Sequence, residues 1–271
     1  TRVRSSAASD VYKRQIYYYI KRIININIMR TNVLKKGFTL SEVLITVGII
    51  GIVAAMTLPS IIQANKNIEV SSKLKKIYST MNQAILMSER DNGPKEYWEK
   101  CIGNNNSCES YYKKYFLPYL KETKTVEFNS YGGYNIAIHF SDGSVLVGKN
   151  SGGGADFFFF PNAKWFNSKT FGKNPTGDAY SREGLGISYF IFGFYPVSAQ
   201  AGTNTDYCPL HKKKGFEPYL CEFLVRPNIS QLKNSSSWGC NKNNTKNAIL
   251  CTALIQSNNW NIPKDYPFKV K

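Results

Sequence analysis

Acid is scarce in this chain: 18 Asp and Glu stand against 35 Lys and Arg, a formal net charge of +17 over 271 residues. Histidine is scarcer, with only His139 and His211. No serine, histidine and acid set announces itself, which leaves triad hydrolysis without support. No lysine and helix start follow Gly152-Gly153-Gly154 in phosphate-loop order. Asp142, Asp156 and Asp178 form no run of alternating oxygen ligands, so no calcium site is expected. Beyond one apolar segment no run is long enough to span a bilayer; Tyr189-Phe190-Ile191-Phe192-Gly193-Phe194-Tyr195 is short and reads as a buried strand. There is no internal repeat. These absences argue against an enzyme, and no catalytic residue, metal or cofactor is expected.

The chain does contain one unusual junction. Lys35-Lys36-Gly37-Phe38-Thr39-Leu40-Ser41-Glu42 leads directly into an apolar run that ends at Leu58. Phe38 to Leu58 is 21 residues, about 30 Å as a helix, which matches a bilayer's hydrocarbon core. Glu42 sits five residues into it, where a charge costs roughly 2.5–3.5 kcal/mol on insertion scales. A plain anchor would carry leucine there, so Glu42 needs a partner or a purpose. Gly48 and Gly51 permit close packing of helices, but their spacing is not the five-residue dimer motif. Thr39, Ser41, Thr46 and Thr57 can bond back to their own helix and carry no separate signal.

Glycine, phenylalanine, threonine, glutamate, the basic flank and the apolar run together resemble the class III signal of type IV prepilins and of the pseudopilins of type II secretion. The resemblance is strong over residues 35–86 and general beyond. It implies that a prepilin peptidase cuts between Gly37 and Phe38 and methylates Phe38. It also implies that Glu42 docks the subunit into a growing filament by pairing with the amino group of a neighbour's Phe38, and that Pro59 bends the helix. The implied partners are the peptidase, other pilin or pseudopilin subunits, an inner-membrane assembly platform and the lipid bilayer.

Residues 29–37 form the short basic leader that such a signal needs, and translation is expected to start at Met29. Residues 1–28 mix serines, tyrosines and basic residues without a period, and are expected to be non-native upstream sequence. Nine basic residues and one acid precede Phe38, leaving 26 basic and 17 acidic residues, or +9, from there on. Apart from Lys212-Lys213-Lys214 no cluster stands out, so this charge reads as a lysine-rich exterior and a nucleic-acid partner is not expected. Arg30, Lys35 and Lys36 flank the apolar run and hold its start in the cytoplasm, which sends everything after Leu58 across the inner membrane.

Cys101, Cys108, Cys208, Cys221, Cys240 and Cys251 all lie beyond the span. An even count in an oxidising compartment reads as a disulfide framework with 15 possible connectivities. Sequential pairing is expected, each bridge closing a short loop. A zinc reading of Cys208, His211 and Cys221 lacks a second ligand pair.

The helix is expected to continue past Pro59, because Val70, Leu74, Ile77, Met81, Ala84 and Ile85 recur at helical spacing between polar residues. Asp91-Asn92-Gly93-Pro94 should stop it. Tyr111 to Leu117 reads as helix. Tyr134 to Phe140, a turn at Ser141-Asp142-Gly143-Ser144, and Val145 to Gly148 read as a β-hairpin. Phe157-Phe158-Phe159-Phe160 reads as a buried strand rather than a sticky surface, Cys221 to Val225 as a strand, and Ala248 to Ile255 as a strand or short helix. His139, on the hairpin, reads as structural.

The expected organisation is residues 38–58 as the membrane and assembly half of one long helix, 59–92 as its amphipathic half, and 93–271 as an exported, disulfide-stapled domain. The expected fold is α+β, the long helix packed on an antiparallel sheet. The expected product is a minor pilin or pseudopilin. A monomeric anchored adhesin or binding protein, which would keep its leader, is the competing reading.

Overall fold

The computed structural model describes residues 38–99, 101, 105–121, 123–128, 134–151, 154–169, 171, 184–197 and 208–271. The leader, Gly37 and Asp178 lie outside the described residues. The chain divides into two compact units, with the boundary between Thr57 and Leu58.

Helix α1 runs over Leu40–Asn92 and contains Pro59 without ending there. Proline removes one backbone donor and crowds the carbonyl four residues back, so a helix passing through it must be held by its neighbours. Packing against the rest of the second unit starts only at Val70, and residues 55–69 are exposed or half-buried. Val70, Ser71, Leu74, Ile77, Met81, Ala84, Ile85 and Ser88 are buried on one stripe. The apolar members are the expected set, and burial of side chains such as Leu74 and Met81 contributes about 1.5–3 kcal/mol each.

Six antiparallel strands form one sheet in the order β1 to β6. They are β1 Thr123–Phe128, β2 Ile136–Phe140, β3 Val145–Ser151, β4 Gly154–Phe160, β5 Phe190–Phe194 and β6 Glu217–Pro218. Every connection joins neighbours, so the topology is a meander. The β2–β3 turn closes with Phe140 N–H on the Ser144 carbonyl, and Asp142 Oδ1 accepts from both Ser144 N–H and Oγ–H. The helices after α1 are short: α2 Asn105–Tyr115, α3 Ile229–Asn234 and α4 Cys251–Ser257.

Period-two alternation sends neighbouring side chains to opposite faces. Ile136, Ile138, Phe140, Leu146, Phe157, Phe159, Phe192 and Phe194 join the α1 stripe in one core. Ala137, Val145, Val147, Phe158, Phe160 and Ile191 face a second core with Phe171, Tyr189, Cys208, Tyr219 and Cys221. Both faces of the central strands are therefore covered, which explains why four consecutive phenylalanines in β4 are all buried. A third cluster collects Leu220, Leu232, Ala248, Leu250 and Leu254 around the Cys240–Cys251 bridge.

Two elements differ from the sequence reading. Cys221 to Val225 is not a strand but a turn that leaves Leu224 and Val225 82% and 78% exposed. Pro218 has no N–H to extend the ladder, and Cys221 is tied back to Cys208. Strand β1 was not expected from the sequence; as a half-exposed edge strand it carries little apolar alternation. Between the two readings for Ala248 to Ile255, the structure has the helix, α4.

Candidate assembly and anchoring site

Phe38 is 84% exposed, and Leu44, Ile50 and Met56 are each more than 60% exposed. Helix α1 is the one helix among the described residues whose length and apolarity suit a membrane, and none of its most apolar 18-residue window is buried. An uncovered apolar surface of this size needs lipid or other subunits around it.

The start of α1 is closed by its own side chains. Thr39 Oγ1 accepts from Glu42 N–H at 3.2 Å, while Glu42 Oε2 accepts from Thr39 N–H and Oγ–H, both at 2.8 Å. This is a capping box, an N-cap threonine and a glutamate three residues on. It satisfies backbone donors that have no partner in the first turn, and it places the carboxylate where the helix dipole favours negative charge. The spacing Thr39-Leu40-Ser41-Glu42 carried this signal in the sequence, and the sequence reading passed over it. Farther along, Thr46 and Thr57 hydroxyls donate to the carbonyls of Val43 and Val53. The span therefore carries one ionisable side chain, already bonded on one carboxylate oxygen. A Cβ added at Gly48 or Gly51 would meet no atom within 4 Å.

The model of the prokaryotic N-terminal methylation motif matches residues 34–58. That motif is the signal of type IV pilins and pseudopilins. A second family model, described as a family of unknown function (DUF6613), matches residues 60–270. The chain belongs to this family. Members of DUF6613 are thus represented here by a pilin-like, membrane-anchored subunit whose own globular domain follows the methylation signal. No curated protein and no solved structure matches the chain.

The remaining sequence candidates fall in the second unit. The six cysteines form Cys101–Cys108, Cys208–Cys221 and Cys240–Cys251, closing separations of 7, 13 and 11 residues. The first and third of the candidate zinc ligands are thereby spent on each other. The second, His211, is 1% exposed, and its Nε2 accepts from Leu220 N–H at 3.1 Å. That acceptor role fixes the proton on Nδ1, and burial pushes the ring's pKa down to about 4. Asp142 is engaged with Lys76 and Ser144, and Asp156 accepts from Tyr195 Oη at 2.5 Å. Burial pushes the Asp142 carboxyl up, but the hydrogen bonds from Ser144, and then Lys76, together hold it below its usual range. Of the run Gly152-Gly153-Gly154 only the last lies among the described residues, and it is closely packed: a Cβ there would lie 2.2 Å from Tyr195 Cδ1 and 2.5 Å from the Phe194 carbonyl. His139 lies on β2 with Nε2 3.1 Å from Glu127 Oε1.

Sequence reasoning also missed Asn82. Its Nδ2 donates to the carbonyls of Phe216 at 2.8 Å and Tyr78 at 2.9 Å, and its Oδ1 accepts from Phe216 N–H at 3.0 Å. A single amide on α1 thus mimics a strand partner for the segment entering β6.

Proposed function

We propose that this chain is a minor pilin or type II secretion pseudopilin, cut after Gly37, N-methylated on Phe38 and assembled through α1. The observation that carries this reading is the methylation motif at residues 34–58 lying on a helix whose apolar half has no protein cover. Before processing, the chain is anchored in the inner membrane with residues 93–271 exported. Prepilin peptidase, other pilin or pseudopilin subunits and the assembly platform are its partners. Its work is assembly, not catalysis.

Cleavage at Gly37 creates a positive amine at Phe38. In a low-dielectric filament interior an unpaired carboxylate is costly, so Glu42 pairs with that amine on a neighbouring subunit. The capping box supports this role because, among the described residues, only Oε2 of the exposed Glu42 is hydrogen-bonded, which leaves Oε1 to accept from a second donor. The size of the domain supports a minor or tip position, since a broad headpiece crowds a helical shaft. Immunogold labelling at high copy along filaments would contradict that placement.

Mass spectrometry of the N-terminus, with and without a co-expressed prepilin peptidase, tests the processing. N-methyl-Phe38 appearing only with the peptidase is the expected result. An intact leader under both conditions, together with surface display unaffected by Glu42→Ala, would instead mark a monomeric anchored binding protein.

A further inference from the structure

Gln63 lies five residues beyond Leu58, the last residue of the apolar run, or about 7.5 Å along a helix. The polar layer outside a hydrocarbon core is itself about 5–7 Å thick on each side. Groups bonded to Gln63 are therefore within reach of lipid headgroups by chain length alone.

Gln63 Nε2 donates to the Val270 carbonyl at 3.2 Å, and Lys271 N–H donates to the Ile187 carbonyl at 3.0 Å. Val270 is 1% exposed, so this segment is seated rather than trailing. From it, Lys271 Nζ stands 4.7 Å from the Trp165 ring centroid, and Lys164 Nζ stands 5.2 Å from the same centroid. Trp165 keeps 39% exposure, and Lys164, Lys269 and Lys271 are all exposed. Among the described residues none of these three lysines is paired with a side-chain carboxylate. An amphipathic ring beside unpaired cations is the chemistry that seats at a membrane interface: tryptophan at headgroup depth, lysines on anionic lipid.

We infer that the Trp165, Lys164 and Lys271 face docks on anionic lipid headgroups of the membrane that holds the chain, seating the domain on the bilayer before assembly. The inference rests on the membrane-anchored reading. It goes beyond that reading by giving the headpiece its own lipid contact, separate from the span.

The test uses the full chain in nanodiscs containing phosphatidylglycerol or only phosphatidylcholine. Acrylamide quenching is measured on the wild type and on Trp165→Phe, and the difference isolates Trp165. The expected result is quenching at least about twofold weaker with phosphatidylglycerol, with the protection removed by high salt. It should also vanish in Lys164→Glu/Lys271→Glu while near-UV circular dichroism stays native. Equal quenching in both lipids, or protection that survives the charge reversal, overturns the lipid contact while leaving the anchor intact. A chain that does not enter nanodiscs at all overturns the anchor and the contact together.

Discussion

Asn82→Ala should be among the most damaging single changes on the amphipathic half of α1. The substitution deletes the acceptor for Phe216 N–H and the donor for its carbonyl. Phe216 is 0% exposed, so water cannot replace either bond without entering the core. Each stranded backbone group costs about 1–3 kcal/mol, so the pair costs about 2–6 kcal/mol. The damage should spread to the ring stack that Phe216 anchors: Phe192 lies 4.5 Å away and Trp260 lies 6.4 Å beyond Phe192, centroid to centroid. Urea unfolding of the full chain in detergent, followed by near-UV circular dichroism, should show a midpoint lower by about 1 M. Gly215 supplies a sharper arm. A Cβ there would lie 2.0 Å from Asn82 Oδ1, with the next contact 3.3 Å away on the same amide. Gly215→Ala should therefore destabilise the wild type by about 1–3 kcal/mol and cost little once Asn82 is alanine. Additive losses in the double variant, or an Asn82→Ala loss under about 0.5 kcal/mol, would refute the clamp.

Acidification should weaken the domain through His211. Its folded pKa of about 4 lies below the ordinary 6.5, so the stability it confers is complete above pH 6.5 and is lost as pH falls toward 4, by about 3 kcal/mol. Denaturation midpoints at pH 7 and pH 4 should converge for His211→Phe relative to wild type; an unchanged pH gradient in that variant would assign the loss elsewhere. Gly154→Ala should cost more than about 2 kcal/mol, because one of the two clashing neighbours is the Phe194 backbone and cannot swing aside; a native thermal midpoint would contradict this. Reducing Cys208–Cys221 should cost about 2–4 kcal/mol and loosen the second core, where both sulfurs are buried, as seen by faster amide exchange around Tyr219.

How much of this was legible in the sequence depends on which physical signal each element carries. The spine of α1 could be read because its two halves each obey one rule, continuous apolarity to Leu58 and 3.6-residue spacing from Val70 to Ile85. The β2–β3 hairpin could be read because its turn chemistry at Asp142-Gly143 is local. Strand β1 was hidden because an edge strand has little apolar alternation to display, and Cys221 to Val225 misled because apolar residues at a turn look like strand residues until the bridge to Cys208 is known. At the start of α1 the motif singles out Phe38 and Glu42, whose roles in processing and assembly are the proposals made above. Thr39 was legible too, by its three-residue distance from Glu42, but was not taken up. Asn82 was not legible: its partner Phe216 is 134 residues away, and one asparagine on a helix carries no sign of a distant backbone.

The tie between Gln63 and Val270 spans 207 residues. On the export route proposed above, the helical stripe of Leu74, Ile77 and Met81 emerges from the membrane first, while Ile255, Val270 and the β5 phenylalanines that cover it emerge later. For the whole duration of translocation that stripe is wet and adhesive. Folding of this domain is consequently a race set by secretion speed, and a slowed or stalled chain presents to its neighbours the same apolar ridge that the finished molecule hides.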